Sequence, residues 1–203
     1  MADGAGITRL VELLQRDALR TGTFTLASGR TSHYYVDGRK VTLSAEGAPL
    51  IAEAVLDILL GYPGIRAVGG LTMGADPIVG ATLALASHHG RSNLRGFLVR
   101  KQAKGHGTGN LVEGPIEAGS LVAIVDDVAT TGGSSLQAVD AVEAMGCTVG
   151  VIIVVLDRLE GAAAAFAARG LDFRALATIR DLGVEPLLAL HPAVEPLEPL
   201  TGP

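Results

Sequence analysis

Tryptophan is absent from this chain of 203 residues, cysteine occurs once, and only 3% of residues are aromatic. Each scarcity removes a possibility. A single cysteine, Cys147, cannot close an intrachain disulfide, so packing must hold the fold, and a reducing cytoplasm is the expected location. The few aromatics leave Ala, Val, Leu and Ile to fill the interior. No apolar run approaches the roughly 20 residues needed to cross a bilayer. The most apolar stretch, residues 149–156, has the length of a buried strand. The opening residues Met1-Ala2-Asp3-Gly4 lack the basic start and apolar stretch of a signal peptide. Positive charge is also in deficit. A net charge of -5 argues against broad nucleic-acid binding, which needs a basic surface, but leaves room for a local cationic pocket. Neither a nucleic-acid nor a membrane partner is expected.

What is present points to one globular domain. Hydrophobic residues make up 48% of the chain, enough to bury a substantial core, and 27 glycines imply many tight turns. Ile7, Leu10, Val11, Leu14 and Ala18 recur at helical spacing, and Thr21-Gly22 is expected to end that helix. Short β-like pieces follow, broken by Ser28-Gly29 and Asp37-Gly38. A helix with Ile51, Ala54, Val55 and Ile58 on one face leads to a strand at 67–71. Asp76-Pro77 is expected to open the next helix, with Asp76 capping it. Strands are expected at 96–99, 121–125, 149–156 and 173–179, with helices over 135–145 and 160–169. Short all-apolar strands alternating with helices indicate an α/β fold with a mostly parallel central sheet covered on both faces. The Pro-bearing tail, 192–203, reads as irregular.

The chemistry concentrates after the strand at 121–125. There the chain reads Asp126-Asp127-Val128-Ala129-Thr130-Thr131-Gly132-Gly133-Ser134, an acid pair and a Thr/Gly loop entering a helix. The carboxyl end of a parallel strand beside a helix N-terminus is where open α/β sheets bind ligands. Free N–H groups and the positive end of the helix dipole suit a phosphate there. Thr130, Thr131 and Ser134 add hydroxyl donors, and the glycines let the backbone approach. The carboxylates would repel that phosphate, so they should face sugar hydroxyls instead. A Walker loop fits poorly because no Gly-Lys-Ser/Thr follows, and adjacent glycines fit a dinucleotide fingerprint poorly too.

This segment resembles the phosphoribosyl-pyrophosphate (PRPP) motif of type I phosphoribosyltransferases. Two further segments are similar to the orotate phosphoribosyltransferases within that family. Arg100-Lys101-Gln102-Ala103-Lys104-Gly105-His106-Gly107 resembles their catalytic loop, where cations close over the departing pyrophosphate. Ser28-Gly29-Arg30 before Tyr34 and Tyr35 resembles their N-terminal hood around the base, and Leu156-Asp157-Arg158 matches their strand-end arginine. The resemblance runs from Phe24 to about Gly183.

The resemblance implies the type I phosphoribosyltransferase fold as a single domain over 1–203, with a small N-terminal hood at approximately 1–43 plus a C-terminal part, and a core at approximately 44–180. It implies transfer of the 5-phosphoribosyl group of PRPP to orotate, giving orotidine 5-phosphate and pyrophosphate in pyrimidine (UMP) biosynthesis. Lys101, Asp126 and Asp127 are then the catalytic candidates. PRPP would be held by Arg100, Lys101, Lys104, His106, Asp126, Asp127, Val128, Ala129, Thr130, Thr131, Gly132, Gly133 and Ser134. Orotate would meet Thr130, Arg158, Tyr34 and Tyr35. Mg²⁺ is the implied cofactor, held mainly by PRPP and water with no direct protein ligand, and a homodimer sharing the loop at 100–110 is the implied assembly. Two alternatives stay open: a transferase for a purine base, and a PRPP-sensing regulator on the same fold. The chain also departs from the family, with Ala27 and Met73 where many members carry lysine.

Overall fold

In the computed structural model, which describes residues 4–25, 31–102 and 111–186, the apolar runs become a six-stranded sheet. The chain opens with α1 (Gly4–Leu13), whose last turn widens into a π-helical stretch, Leu14–Ala18. The helix ends at Ala18, earlier than Thr21-Gly22, because β1 (Leu19–Thr25) begins there and pairs with β2 (Thr31–Val36) as a two-stranded antiparallel hood. Next come the short α2 (Arg39–Thr42), α3 (Gly47–Leu60), β3 (Ala67–Leu71), α4 (Ala75–Ala86) and β4 (Arg95–Val99). The remainder is β5 (Val112–Glu113), β6 (Leu121–Ala129), α5 (Gly133–Ala144), β7 (Thr148–Asp157), α6 (Ala162–Ala167) and β8 (Phe173–Thr178).

The sheet order is β5-β4-β3-β6-β7-β8, with every neighbour parallel except the β4–β5 pair. Alternating side chains divide the core into two faces, as the pleat requires. Val68, Ala123, Val125, Val151, Ile153 and Val155 point to one face and pack with Leu10, Ile51, Val55 and Ile78 of α1, α3 and α4. Ala67, Val122, Ile124, Ile152 and Val154 point to the other and meet Val139 and Val142 of α5 and Phe166 of α6. Strands buried on both faces have no reason to alternate polar with apolar, which is why they read as continuous apolar runs.

Three further boundaries differ from expectation. β6 does not stop at its acids; it pairs onward, Asp126 opposite Val154 and Ala129 opposite Asp157, so the ladder overrides the change in polarity. α4 starts at Ala75 with Gly74 before it. Asp76 makes no cap; its Oδ1 instead accepts a hydrogen bond from the Thr72 hydroxyl at 3.0 Å. The helix expected over 160–169 is confined to α6, preceded by Gly161 at φ 113°.

Candidate active site

The strand order reverses between β3 and β6, since the chain leaves β3 towards β4 and later runs from β6 towards β7. At such a point the two strand-to-helix loops diverge and open a crevice at the carboxyl edge of the sheet. The crevice here is bounded by residues 71–74 before α4 and residues 129–135 leading into α5.

β6 delivers the acid pair to this edge. The Ser135 hydroxyl donates to Asp126 Oδ2 at 3.1 Å, and the Asp127 N–H donates to Asp126 Oδ1 at 3.0 Å. The Val128 N–H donates to Asp127 Oδ1 at 3.0 Å. These donors do not offset the loss of water. Burial, followed by the negative charge of Asp127, pushes the Asp126 carboxyl up to about 7, while the Ser135 hydrogen bond pulls it down. Burial also raises Asp127, opposed by the Val128 N–H and more weakly by the charge of Arg39. Carboxylates held this dry are strong acceptors for incoming hydroxyl donors. The facing loop lies against them: a Cβ at Gly74 would sit 2.6 Å from Asp126 Oδ1 and 2.7 Å from Asp127 Oδ1, so any side chain there would displace the carboxylates.

Beside the acids, α5 starts without a side-chain cap, from Gly132 at φ 84°. Its first N–H groups are therefore available to an anion, reinforced by the helix dipole. Gly132 is required twice over, by its left-handed backbone and because a Cβ there would fall 2.7 Å from the buried Phe166 ring. A cavity of about 200 Å³ over this loop is lined by Val128, Ala129, Thr130, Thr131, Gly132, Gly133 and Ser134. A second, of about 240 Å³, is bounded by Tyr35 and Arg39 on the hood side, Met73 and Gly74, Lys101, and the acid pair. The two share Asp126, Val128 and Ser134, so the anion seat and the acids adjoin.

The crevice thus unites Lys101, Tyr35, the acid pair and the whole of the Thr/Gly loop. Other sequence candidates stand apart from it. Arg100 does not line either cavity; its Nε is 3.1 Å from Glu113 Oε1 at the sheet edge. Tyr34 is 1% exposed, against 43% for Tyr35, because β2 alternates and turns Tyr34 inwards. Its hydroxyl donates to Glu160 Oε1 at 3.0 Å, and the buried Arg158 lies over its ring, 4.9 Å from the centroid. Lys104 and His106 lie outside the described residues, as do Ala27, Ser28, Gly29 and Arg30. Sequence reasoning missed Arg39, which pairs with Asp37 at 2.8 Å and supplies a cation on the wall that Met73 leaves uncharged. An Arg-Lys pair after a turn carries no motif, and only the fold brings it to the acids.

No family model matches the chain. It is 49% identical over 182 residues to the orotate phosphoribosyltransferase of Rhodopirellula baltica, covering 87% of this chain and 94% of that protein. Identity to the orotate phosphoribosyltransferase of Thermosynechococcus vestitus is 47% over 174 residues, covering 85% and 90%. Among solved structures, the chain resembles Mycobacterium tuberculosis orotate phosphoribosyltransferase in complex with PRPP, with TM-score 0.74, 36% identity, and 88% of this chain and 99% of that chain covered. A likeness to Leishmania tarentolae adenine phosphoribosyltransferase, at 18% identity and TM-score 0.61, concerns the fold alone.

Proposed function

The chain belongs to the orotate phosphoribosyltransferases, and on that premise we propose that it moves the 5-phosphoribosyl group of PRPP onto orotate, forming orotidine 5-phosphate and releasing pyrophosphate. In class it is a glycosyltransferase of the pentosyl type. The observation that carries the reading is the adjacency of an uncapped helix start and an acid pair, Asp126 buried and Asp127 half-buried, in one crevice.

Each part of the donor then has a counterpart. The 5-phosphate sits on the N–H groups and hydroxyls of residues 130–134, and the ribose 2- and 3-hydroxyls donate to Asp126 and Asp127. Positive charge grows on the ribose ring as its bond to pyrophosphate lengthens, and the two carboxylates lie beside it. Lys101 faces the pyrophosphate, neutralising negative charge as that group departs. The protein does little covalent chemistry; it positions the reactants and balances charge.

Mg²⁺ belongs to the same proposal. The ion would enter with the oxygens of the donor, because Mg²⁺ keeps several waters and binds through substrate phosphates rather than a full protein cage. The desolvated Asp126 and Asp127 carboxylates fit a partly hydrated cation at their outer side. Bound there, it would neutralise the pyrophosphate and sharpen its leaving ability. We further propose a homodimer and a cytoplasmic location. The first is supported by the apolar patch of Leu43 and Met73, 70% and 64% exposed, beside the crevice. The second is supported by a lone, free, buried Cys147.

The deciding experiment follows the ultraviolet absorbance of orotate after protein, PRPP and Mg²⁺ are mixed. A fall that requires all three is expected. Constant absorbance with folded protein overturns the proposal.

A further inference from the structure

Arg158 and Glu160 form an ion pair out of solvent. Arg158 Nη2 lies 2.8 Å from Glu160 Oε1, and the side chains are 10% and 5% exposed. The Tyr34 hydroxyl, from the hood, donates to that same glutamate oxygen at 3.0 Å, and the guanidinium lies over the Tyr34 ring. A buried pair of this kind is poor value for stability, because desolvation cancels most of its attraction and an apolar trio would serve the core as well. The backbone makes a second concession. Leu159, between the two charged residues, has φ 57°, a left-handed conformation that disfavours a leucine.

The turn is nevertheless firmly held. The Arg158 N–H donates to the Ala129 carbonyl at 2.9 Å, and the Leu159 N–H donates to Asp157 Oδ1 at 2.8 Å. The Ala162 N–H donates to the Thr130 carbonyl at 3.2 Å, tying this turn to the phosphate loop. Within it, Arg158 Nε and Nη2 are buried without a hydrogen-bond partner among the described residues. Glu160 is therefore close enough to balance the charge but too poorly aligned to consume the donors. Nε and Nη2 are the side-on edge of a guanidinium, the edge that takes a planar carboxylate in two parallel bonds.

We propose that Glu160 is a positioning residue for the acceptor end of the site: with Tyr34 it holds Arg158 dry and fixed in orientation, with spare donor capacity on its Nε/Nη2 edge for the carboxylate of the planar acid substrate. The inference rests on the reading of the chain as an orotate transferase whose base meets Arg158. It explains why a buried charge carries unfilled donors. It also separates acceptor recognition from the donor subsite, which uses residues 126–134 and Lys101.

The test compares steady-state constants of Glu160→Gln, Tyr34→Phe and Arg158→Lys. Glu160→Gln keeps the shape and an acceptor for Tyr34 but loses the charge. It is expected to raise the orotate KM about tenfold, the lower end of the scale on which outer partners of a ligating group act, while the PRPP KM stays within roughly a factor of two. Glu160→Asp, which restores the charge on a shorter stem, should recover part of the loss. Tyr34→Phe, which removes one hydroxyl, should show the same split more weakly and covers the case in which Glu160→Gln does not fold. A native orotate KM in whichever of these two variants folds overturns the proposal, as does a parallel rise of both KM values. Arg158→Lys separates the two levels. If it leaves the orotate KM native, the reading of the base pocket fails. If it raises that KM while Glu160→Gln does not, only the role of Glu160 fails.

Discussion

Asp126 is the residue on which stability and function conflict most directly. Its carboxyl is raised from 3.8 to about 7 by burial and by Asp127, so the folded chain holds a proton that the unfolded chain gives up. The sign follows from linkage. Between about pH 4 and 7 the folded state binds more protons, so this group favours folding most at the acid end, and its contribution is lost as pH rises through that window. Asp126→Asn should therefore flatten the melting temperature between pH 4 and 7 and melt higher than the parent at pH 8, while turnover falls. Thermal scans across pH check this; an unchanged slope contradicts it. Lys101 carries the opposite signature, being exposed and at the rim of the cavity. Lys101→Ala should lower kcat by about 10² or more, the scale on which loss of one preorganised donor acts, with little change in melting temperature. Near-normal turnover would remove Lys101 from the mechanism.

At the level of elements, the start of α5 joins packing to binding. Gly132→Ala forces a Cβ towards Phe166 from a left-handed backbone and should destabilise the chain by about 2 kcal/mol or more, while raising the PRPP KM. Gly133→Ala is the contrast, since its Cβ would find nothing nearer than Thr131 Oγ1 at 3.8 Å. Equal melting temperatures in the two variants would refute the argument. The central strands β3, β6 and β7 were legible because burial on both faces leaves unbroken apolar runs. β5 was not, because two residues at a sheet edge have no period, and the true end of β6 was hidden because ladder pairing does not show in polarity. That the acid pair and the Thr/Gly loop share one crevice was legible because all their parts are contiguous. Arg39 and Glu160 were not: Glu160 meets Tyr34 across 126 positions, and no local pattern encodes such a contact.

For the whole molecule, the sheet acts as a frame whose two faces are closed by different helices and whose carboxyl edge is left for chemistry. The proposed dimer with a shared loop makes one prediction at this scale. Chains bearing Lys101→Ala mixed with chains bearing Asp127→Asn should regain part of the lost activity, because each heterodimer would hold one site with both residues intact. Activity that stays absent in verified heterodimers would show that each loop serves its own site. The frame also shapes what that loop can do. Val99 pairs with Val112, and the Arg100 N–H donates to the Leu111 carbonyl at 2.8 Å, so the two strand ends on either side of residues 101–110 are stitched together. That stitch anchors Lys101 one residue beyond it, so the sheet edge sets how this cation approaches the acids, and loosening the Val99–Val112 pairing would misplace the charge before it disturbed the core.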